Sequence, residues 1–239
     1  MRNIVLSIFA CACVQSAMAQ QPEVGTVSII PRIGLSIANL PGDNVFVGVS
    51  DVTNMPFSPR YKAGFTGGID IDWQFSNDFS LMVGAHYAQQ GCSYSNNSIE
   101  TSTSGANKTG TGYSDWSTQL NYINVPLVLN AYIAPGFALK AGFQAGFAVS
   151  GKMKYTSTDY TVDKNGDCTF SSPKDVEYNL NSTMKKVCFS IPVGFSYEFS
   201  DVLIDARYNI GLTPFQQIGD YKGSKNRVFT VSAGYRFTL

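Results

Sequence analysis

The chain holds one histidine, His86. With a loop carboxylate such as Asp51 or Asp115 it would have the makings of a general base. No motif fixes such a partner, so His86 is read as a hydrogen-bonding group and no catalytic residue is expected. The stretch "DKNGDCTF" sets Asp163, Asn165 and Asp167 at positions one, three and five of a calcium loop. That loop needs glycine at six and a bidentate acid at twelve. Cys168 and Asp175 stand there and the glycine falls at four, so the hairpin signal Asn165-Gly166 accounts for the stretch better. There is no zinc-type Cys/His spacing, phosphate loop or nucleophile elbow, and no metal or cofactor is expected. Cys92, Cys168 and Cys188 lie beyond the N-terminal segment, and an odd number allows at most one internal disulfide. A link from Cys168 to either of the others and three reduced thiols both remain open.

The remaining candidates are charges embedded in apolar alternation. Arg32, Lys62, Asp70, Asp72, His86, Lys140, Lys152, Glu198, Asp205, Arg207 and Arg236 all fall on the polar parity of segments with a two-residue period. Eight such segments can be read. They run through "TVSIIPRIGLSIA", "YKAGFTGGIDIDWQF", "FSLMVGAHYAQQGC", "LNYINVPLVLNAYI", "FALKAGFQAGFAVSG", "VCFSIPVGFSYEF", "VLIDARYNIGL" and "VSAGYRFTL". Each is long enough for the roughly 9–11 tilted residues with which a strand crosses an outer membrane. The connections alternate: 76–78, 134–136 and 200–201 are tight turns, whereas 41–60, 93–115, 152–184 and 214–226 are long and polar. Short turns on one side and long loops on the other is the layout of outer-membrane barrels. The 93–115 segment is rich in Ser, Thr, Asn and Gly and reads as a mobile surface loop. The hairpin at Asn165-Gly166 predicts that strands five and six continue as a ribbon above the membrane.

Composition points the same way. Lys+Arg and Asp+Glu are balanced at 17 each, which leaves no basic footprint for nucleic acid. Only 14% of residues are charged, 13% are aromatic and 22 are Gly, against about 25% charged in an average soluble domain. Residues 1–19 carry Arg2, the apolar run "IVLSIFACACV" and small Ala17 and Ala19, so a cleaved signal peptide and a mature start at Gln20 are expected. Cys11 and Cys13 are too early, and Phe9 too bulky, for a lipoprotein site. Residues 20–239 then form one domain.

An exported chain with this composition and no apolar run long enough for a spanning helix is expected to close a barrel, because backbone groups in hydrocarbon must all be paired. The expected fold is all-β, an eight-stranded antiparallel up-and-down transmembrane β-barrel in the bacterial outer membrane. Its polar parity carries Gly64, Gly68, Gly84, Gly142, Gly146, Gly194, Gly211 and Gly234, small enough for the cramped lumen of eight strands. Its other parity is aliphatic and aromatic, as a lipid face requires. Trp73, Phe75, Phe79, Phe137, Tyr197, Phe199, Tyr235 and Phe237 gather at the short-turn end as one interfacial girdle. Tyr61, Tyr87, Trp116, Phe147, Tyr208 and Phe229 are expected to form a second towards the loops. The lumen charges should pair and block conduction.

"LNYINVPLVLNAYI" followed by "GFALKAGFQAGFAVSGKMKY" resembles the midsection of the small outer-membrane β-barrel family of Bacteroidota, often described as porin-family and including PorT-like members. Tyr122, Val125, Pro126 and Leu127 match its strand-opening motif, and "PRIGLSIANL" is similar to its first strand. The resemblance implies an eight-stranded barrel like that of OmpX or the OmpA membrane domain and carries no catalytic residues. PorT-like members serve a protein secretion system, which gives a secretion or envelope-assembly role as the alternative to surface binding through the loops. Ser232, Gly234, Tyr235, Phe237 and Leu239 resemble the C-terminal signal read by the barrel-assembly machinery, with Leu where most such signals have Phe. The partners expected are outer-membrane lipid and lipopolysaccharide, that machinery during insertion, and an extracellular or envelope protein that the sequence does not name.

Overall fold

The computed structural model describes residues 22–41, 58–104, 107–218 and 221–239. The expected signal segment 1–19, Asp51 and most of the 41–60 loop lie outside the described residues. The described residues form strands and turns, and among them no helix is long and apolar enough to cross a membrane. In order, the strands are β1 (Val27–Asn39), β2 (Pro59–Gln74), β3 (Phe79–Tyr94), β4 (Asn97–Ser104), β5 (Asn107–Ala134), β6 (Phe137–Val162) and β7 (Cys168–Phe170). There follow β8 (Lys174–Asn179), β9 (Val187–Phe199), β10 (Val202–Pro214), β11 (Gln217–Ile218), β12 (Tyr221–Lys222), β13 (Lys225–Tyr235) and β14 (Phe237–Thr238).

Eight of these close a ring, β1–β2–β3–β5–β6–β9–β10–β13, every neighbour antiparallel and β13 returning to β1. Ile33 pairs with Ala233 and Ile37 with Phe229, and β14 continues the seam with Ile29 opposite Phe237. The last backbone N–H, that of Leu239, donates to the carbonyl of Val27 at 2.9 Å. No ring edge is left open, which is the condition for strands in hydrocarbon. The ring is built because each segment alternates: Ile33, Leu35, Phe65, Ile69, Ile71, Leu127, Leu129, Phe143 and Phe195 all point outward and stay exposed. Many inward positions are small or polar, with Ile30, Met82, Val128 and Leu203 as buried apolar exceptions along the wall. At Gly194 a Cβ would lie 2.1 Å from the carbonyl oxygen of Ala206, so this position tolerates no side chain.

The turns obey local chemistry. Ser200 (φ 46) and Asp201 (φ 66) both take left-handed backbone, the two-residue hairpin turn that suits the twist of strands. Gly166 (φ 89) does the same in the Asn165-Gly166 hairpin, where the Asp163 carboxylate accepts from the backbone N–H of Asn165 at 2.8 Å and of Asp167 at 3.0 Å. Asp163 is thereby committed to the turn.

Beyond the ring, β5 and β6 remain paired as far as Lys108 opposite Val162. The expected ribbon is present and is wider than two strands, since β4 flanks β5 while β8 and β7 flank β6. The 93–115 segment is therefore not the free loop expected from its composition. Its Thr and Ser residues are satisfied by cross-strand pairing, as Ile99 opposite Thr111 and Thr103 opposite Lys108 show.

Two expectations about facing need correction. Lys152, read as lumen-facing, is exposed and pairs with Glu177 at 2.7 Å. The cause is a bulge: Asn121 pairs with Ser150 but Tyr122 with Ala148, so one extra residue near Val149 inverts the parity of everything after it in β6. Trp116, placed in the loop-side girdle, is only 2 % exposed and faces inward. It shares the even parity of Thr118, Leu120 and Tyr122, which β5 keeps from Trp116 towards the short-turn end, the irregularity of this strand lying just beyond at Asp115 (φ 52).

The approach of strands at Gly194 makes a direct prediction. Gly194→Val should fail to yield the folded form that migrates differently on a gel before and after boiling, whereas Ala206→Gly should retain it.

Candidate functional site

The charges of the interior form two layers. In the layer next to the short turns, Arg236 makes a two-pronged pair with Glu198, Nε to Oε1 at 2.6 Å and Nη2 to Oε2 at 2.9 Å. Its Nη1 reaches Asp72 Oδ2 at 2.9 Å. The other oxygen of Asp72 accepts from Ser80 at 2.8 Å and from Asn130 at 3.0 Å, and the Tyr132 hydroxyl stands 3.5 Å from Arg236. Arg236 can reach all of these because β13 pauses there before β14 and its backbone N–H is taken by Asp201.

The second layer is richer in cations. Arg32 pairs with Asp70, and His86 Nε2 lies 2.7 Å from the other oxygen of Asp70. Asp205 receives Lys140 at 2.9 Å, Arg207 Nε at 2.8 Å and Arg32 Nη1 at 3.3 Å. The Met82 sulfur lies between the two guanidinium groups, 3.3 Å from Arg32 and 3.8 Å from Arg207. The charges close only when both layers are taken together. Arg32, Lys140, Arg207 and Arg236 face Asp70, Asp72, Asp205 and Glu198. Lys62 has inward parity but is half-buried, and no ion pair to it occurs among the described residues. His86 has Asp70 as its partner, not a loop carboxylate, and Asp115 is exposed.

Above the charges lie two cavities of about 30 Å³ each, lined by the amides of Gln90, Asn124, Gln144 and Asn209. Each has room for a water or two. Above these, Leu40, Cys92, Trp116, Leu120, Tyr122, Met153, Leu180, Met184 and Phe215 form an apolar plug in the mouth. Leu180 and Met184 are tied down by Leu180 N–H to the carbonyl of Gly151 at 2.9 Å and by a bridge from Met184 to Gln216. Sequence reading missed this plug. The available signal was Trp116, Leu120 and Tyr122 on a parity that is polar elsewhere. The thiols of Cys92, Cys168 and Cys188 are all free; Cys92 is buried in the plug, Cys188 is half-buried and Cys168 is exposed.

Outside, Trp73, Phe75, Phe79, Tyr235 and Phe237 are exposed around the short-turn end, and Phe137, Tyr197 and Phe199 are half-buried in the same belt. Trp73 and Phe75 have centroids 5.7 Å apart, and Tyr235 and Phe237 4.8 Å. Of the terminal residues Ser232, Gly234, Tyr235, Phe237 and Leu239, Ser232 is buried inward and Leu239 is the most exposed. Among the described residues no cluster of three metal-ligating side chains occurs.

A family model described as outer membrane protein beta-barrel domain matches residues 18–217. The chain belongs to this family. Similar solved structures include Ail, the attachment invasion locus protein of Yersinia pestis, at 16% identity, covering 90% of this chain and 100% of that one with a TM-score of 0.39. Neisserial surface protein A matches at 13% identity, over 88% and 97% of the two chains, with a TM-score of 0.37. E. coli outer membrane protein W matches at 13% identity, over 91% and 100%, with a TM-score of 0.32. No curated protein matches the chain. As a member of the outer membrane protein beta-barrel domain family, the protein resides in the bacterial outer membrane. In outer-membrane barrels generally, lipid covers the apolar band, the short turns face the periplasm and the longer connections face outward.

On that ribbon, Lys152 and Lys154 both donate to Glu177, at 2.7 and 2.8 Å, across the β6–β8 pair. These hydrogen bonds hold the Glu177 carboxyl down from 4.5 to about 2. A depressed carboxyl stabilises the fold above its unfolded value and loses that contribution as pH falls through the folded value. Hydrogen exchange should therefore show β8 equally protected from neutral pH to about 4, with protection lost only towards pH 2. Glu177→Gln should abolish that acid step.

The lumen makes a sharper prediction. Arg236→Ala strands two buried carboxylates and should cost about 3–5 kcal/mol, seen as a lower urea midpoint in detergent. Adding Glu198→Gln should recover part of the loss.

Proposed function

We propose that the barrel is a sealed anchor and that the extracellular sheet is a binding surface for a partner outside the cell. The single observation that carries this reading is the β5–β6 ladder. It continues past the membrane belt to Lys108 and Val162 and gathers β4, β7 and β8 into a rigid platform. Binding residues are commonly displayed on segments that a rigid scaffold positions. Here the scaffold is a cylinder with ion pairs below and an apolar plug above among the described residues, which supports a sealed lumen. His86 is spent on Asp70 in that interior, which supports a role without catalysis.

A PorT-like role in secretion or envelope assembly would put the contact surface on the short turns or the barrel flanks. The turns at 76–78, 134–136 and 200–201 offer little area for it, whereas the ribbon offers four strand columns.

Two measurements test the reading. Antibody against residues 97–116 should label whole cells, and removal of the ribbon above Trp116 should abolish attachment to a partner surface while leaving a folded barrel. Retained attachment, together with co-purification of envelope proteins and a secretion defect on deletion, would replace this reading with the second. Purified protein in planar bilayers should show no stable single-channel steps, and Met184→Ser in the plug should not open one because the charged layers still close the lumen.

A further inference from the structure

The distal half of the ribbon carries a groove of about 560 Å³, bordered by Asn96, Asn97, Ser98, Gly112, Ser114, Thr158, Tyr160 and Phe170, with Tyr113 adjoining. Its floor is made by cross-strand register. Ser98, Gly112 and Thr158 stand side by side on β4, β5 and β6, and Gly110, Tyr160 and Phe170 stand side by side one step further on. Partners in register share a face. Tyr160 lies over Gly110, where a Cβ would come within 2.6 Å of its ring and 2.5 Å of its hydroxyl. Next to it, Gly112 is open: a Cβ there would meet nothing nearer than the Thr158 carbonyl at 3.6 Å. The result is a bare backbone trough beside a tyrosine ring and Phe170, which is 67 % exposed.

Three features of the lining narrow the ligand. Phe170 is a large apolar ring well beyond the lipid belt. Tyr160 follows Phe147 of that belt by 13 residues, about 40 Å along a strand at roughly 3.3 Å per residue. Together with Tyr160, the Phe170 ring offers an apolar surface on which a ligand can stack. The remaining lining groups are amides and hydroxyls, which donate and accept alike. None of the lining residues is charged, and Glu100, opposite Gly110 in register, is paired with Lys108 at 3.2 Å. The neighbouring groove on the same ribbon differs in carrying charged side chains, those of Asp115, Lys154, Asp175 and Glu177, beside its uncharged ones. A ligand with an apolar face for the rings, hydroxyls around its edge and no formal charge is a pyranose sugar.

We propose that this groove binds an uncharged hexose or N-acetylhexosamine unit of an oligosaccharide displayed on an opposing surface. The inference rests on the platform reading above and names its ligand class. The C–H face of the sugar stacks on Tyr160 and Phe170, and its hydroxyls exchange hydrogen bonds with Asn97, Ser98 and Thr158. The distal position, at the far end of the ribbon from the membrane, favours a glycan on another surface over the protein's own outer leaflet.

The test uses the full barrel in lipid nanodiscs free of lipopolysaccharide, applied to immobilised neutral oligosaccharides, with sialylated and sulfated ones as charged probes. Retention on neutral glycans is expected, at least tenfold weaker for Phe170→Ala and for Gly112→Leu. Gly112→Leu fills the open trough without a backbone clash, and a shift in gel migration on boiling equal to that of the parent barrel confirms that both variants fold. Retention only on charged glycans, no retention, equal retention by Gly112→Leu, or binding confined to the cell's own extracted lipopolysaccharide overturns the proposal. If glycan binding is absent but ribbon removal still abolishes attachment, the proposal fails and the platform reading stands. If ribbon removal leaves attachment unchanged, the platform reading fails as well.

Discussion

Everything in this structure depends on the seam between β13 and β1. In hydrocarbon an unpaired backbone N–H or C=O has no water to turn to, so a sheet with a free edge does not survive there. Pairing Ile33 with Ala233 and Ile37 with Phe229 removes both edges at once. Closure on eight strands then sets the bore, and the bore sets the interior alphabet: glycine, serine and alanine where strands crowd, and long charged side chains where they can reach across to opposite walls. Arg32 on β1 meets Asp205 on β10, and Arg236 beyond β13 meets Asp72 on β2, because the cylinder is only a side chain wide.

A narrow bore makes charge expensive, which explains the exact matching of the interior. A buried ion with no partner costs several kcal/mol. Leaving His86 aside, the lower layer carries one carboxylate more than its cations, and the upper one cation more than its carboxylates. Neither layer would be neutral alone. The coupling between them ties together β1, β2, β6, β9, β10 and the terminal segment, so the charged interior acts as a set of cross-braces as well as a filling.

The parts of this arrangement that were legible in the sequence are those governed by a strict period. Alternation located all eight ring strands, and it put Arg32, Asp70, Asp72, His86, Lys140, Glu198, Asp205, Arg207 and Arg236 on the inner wall, where the structure has them. What period-two reading cannot supply is a change of phase. It carried Lys152 inward because nothing in "AVSGKMKY" announces an extra residue. Trp116 differs in kind: it has inward parity, and aromatic type alone does not separate a girdle ring from one that plugs the mouth. The β4 hairpin was hidden for a third reason, since Ser/Thr/Gly composition is shared by free loops and by strands that find partners above the membrane.

The phase change near Val149 also divides the molecule functionally. Below it, β6 turns Ala138 and Lys140 inward and aliphatics outward. Above it, Met153 faces in and joins the plug, while Lys152 and Lys154 face out to meet Glu177. One inserted residue thus converts a lipid-facing wall into a water-facing one on the outside, and a polar lumen into an apolar seal on the inside. Both conversions occur at the same height along the strand, where hydrocarbon ends and water begins. A strand that kept its phase would have put lysines into the seal and Met153 and Tyr155 onto the wet surface. The bulge therefore lets one continuous strand run from the barrel wall into the ribbon while changing which residues face in and out.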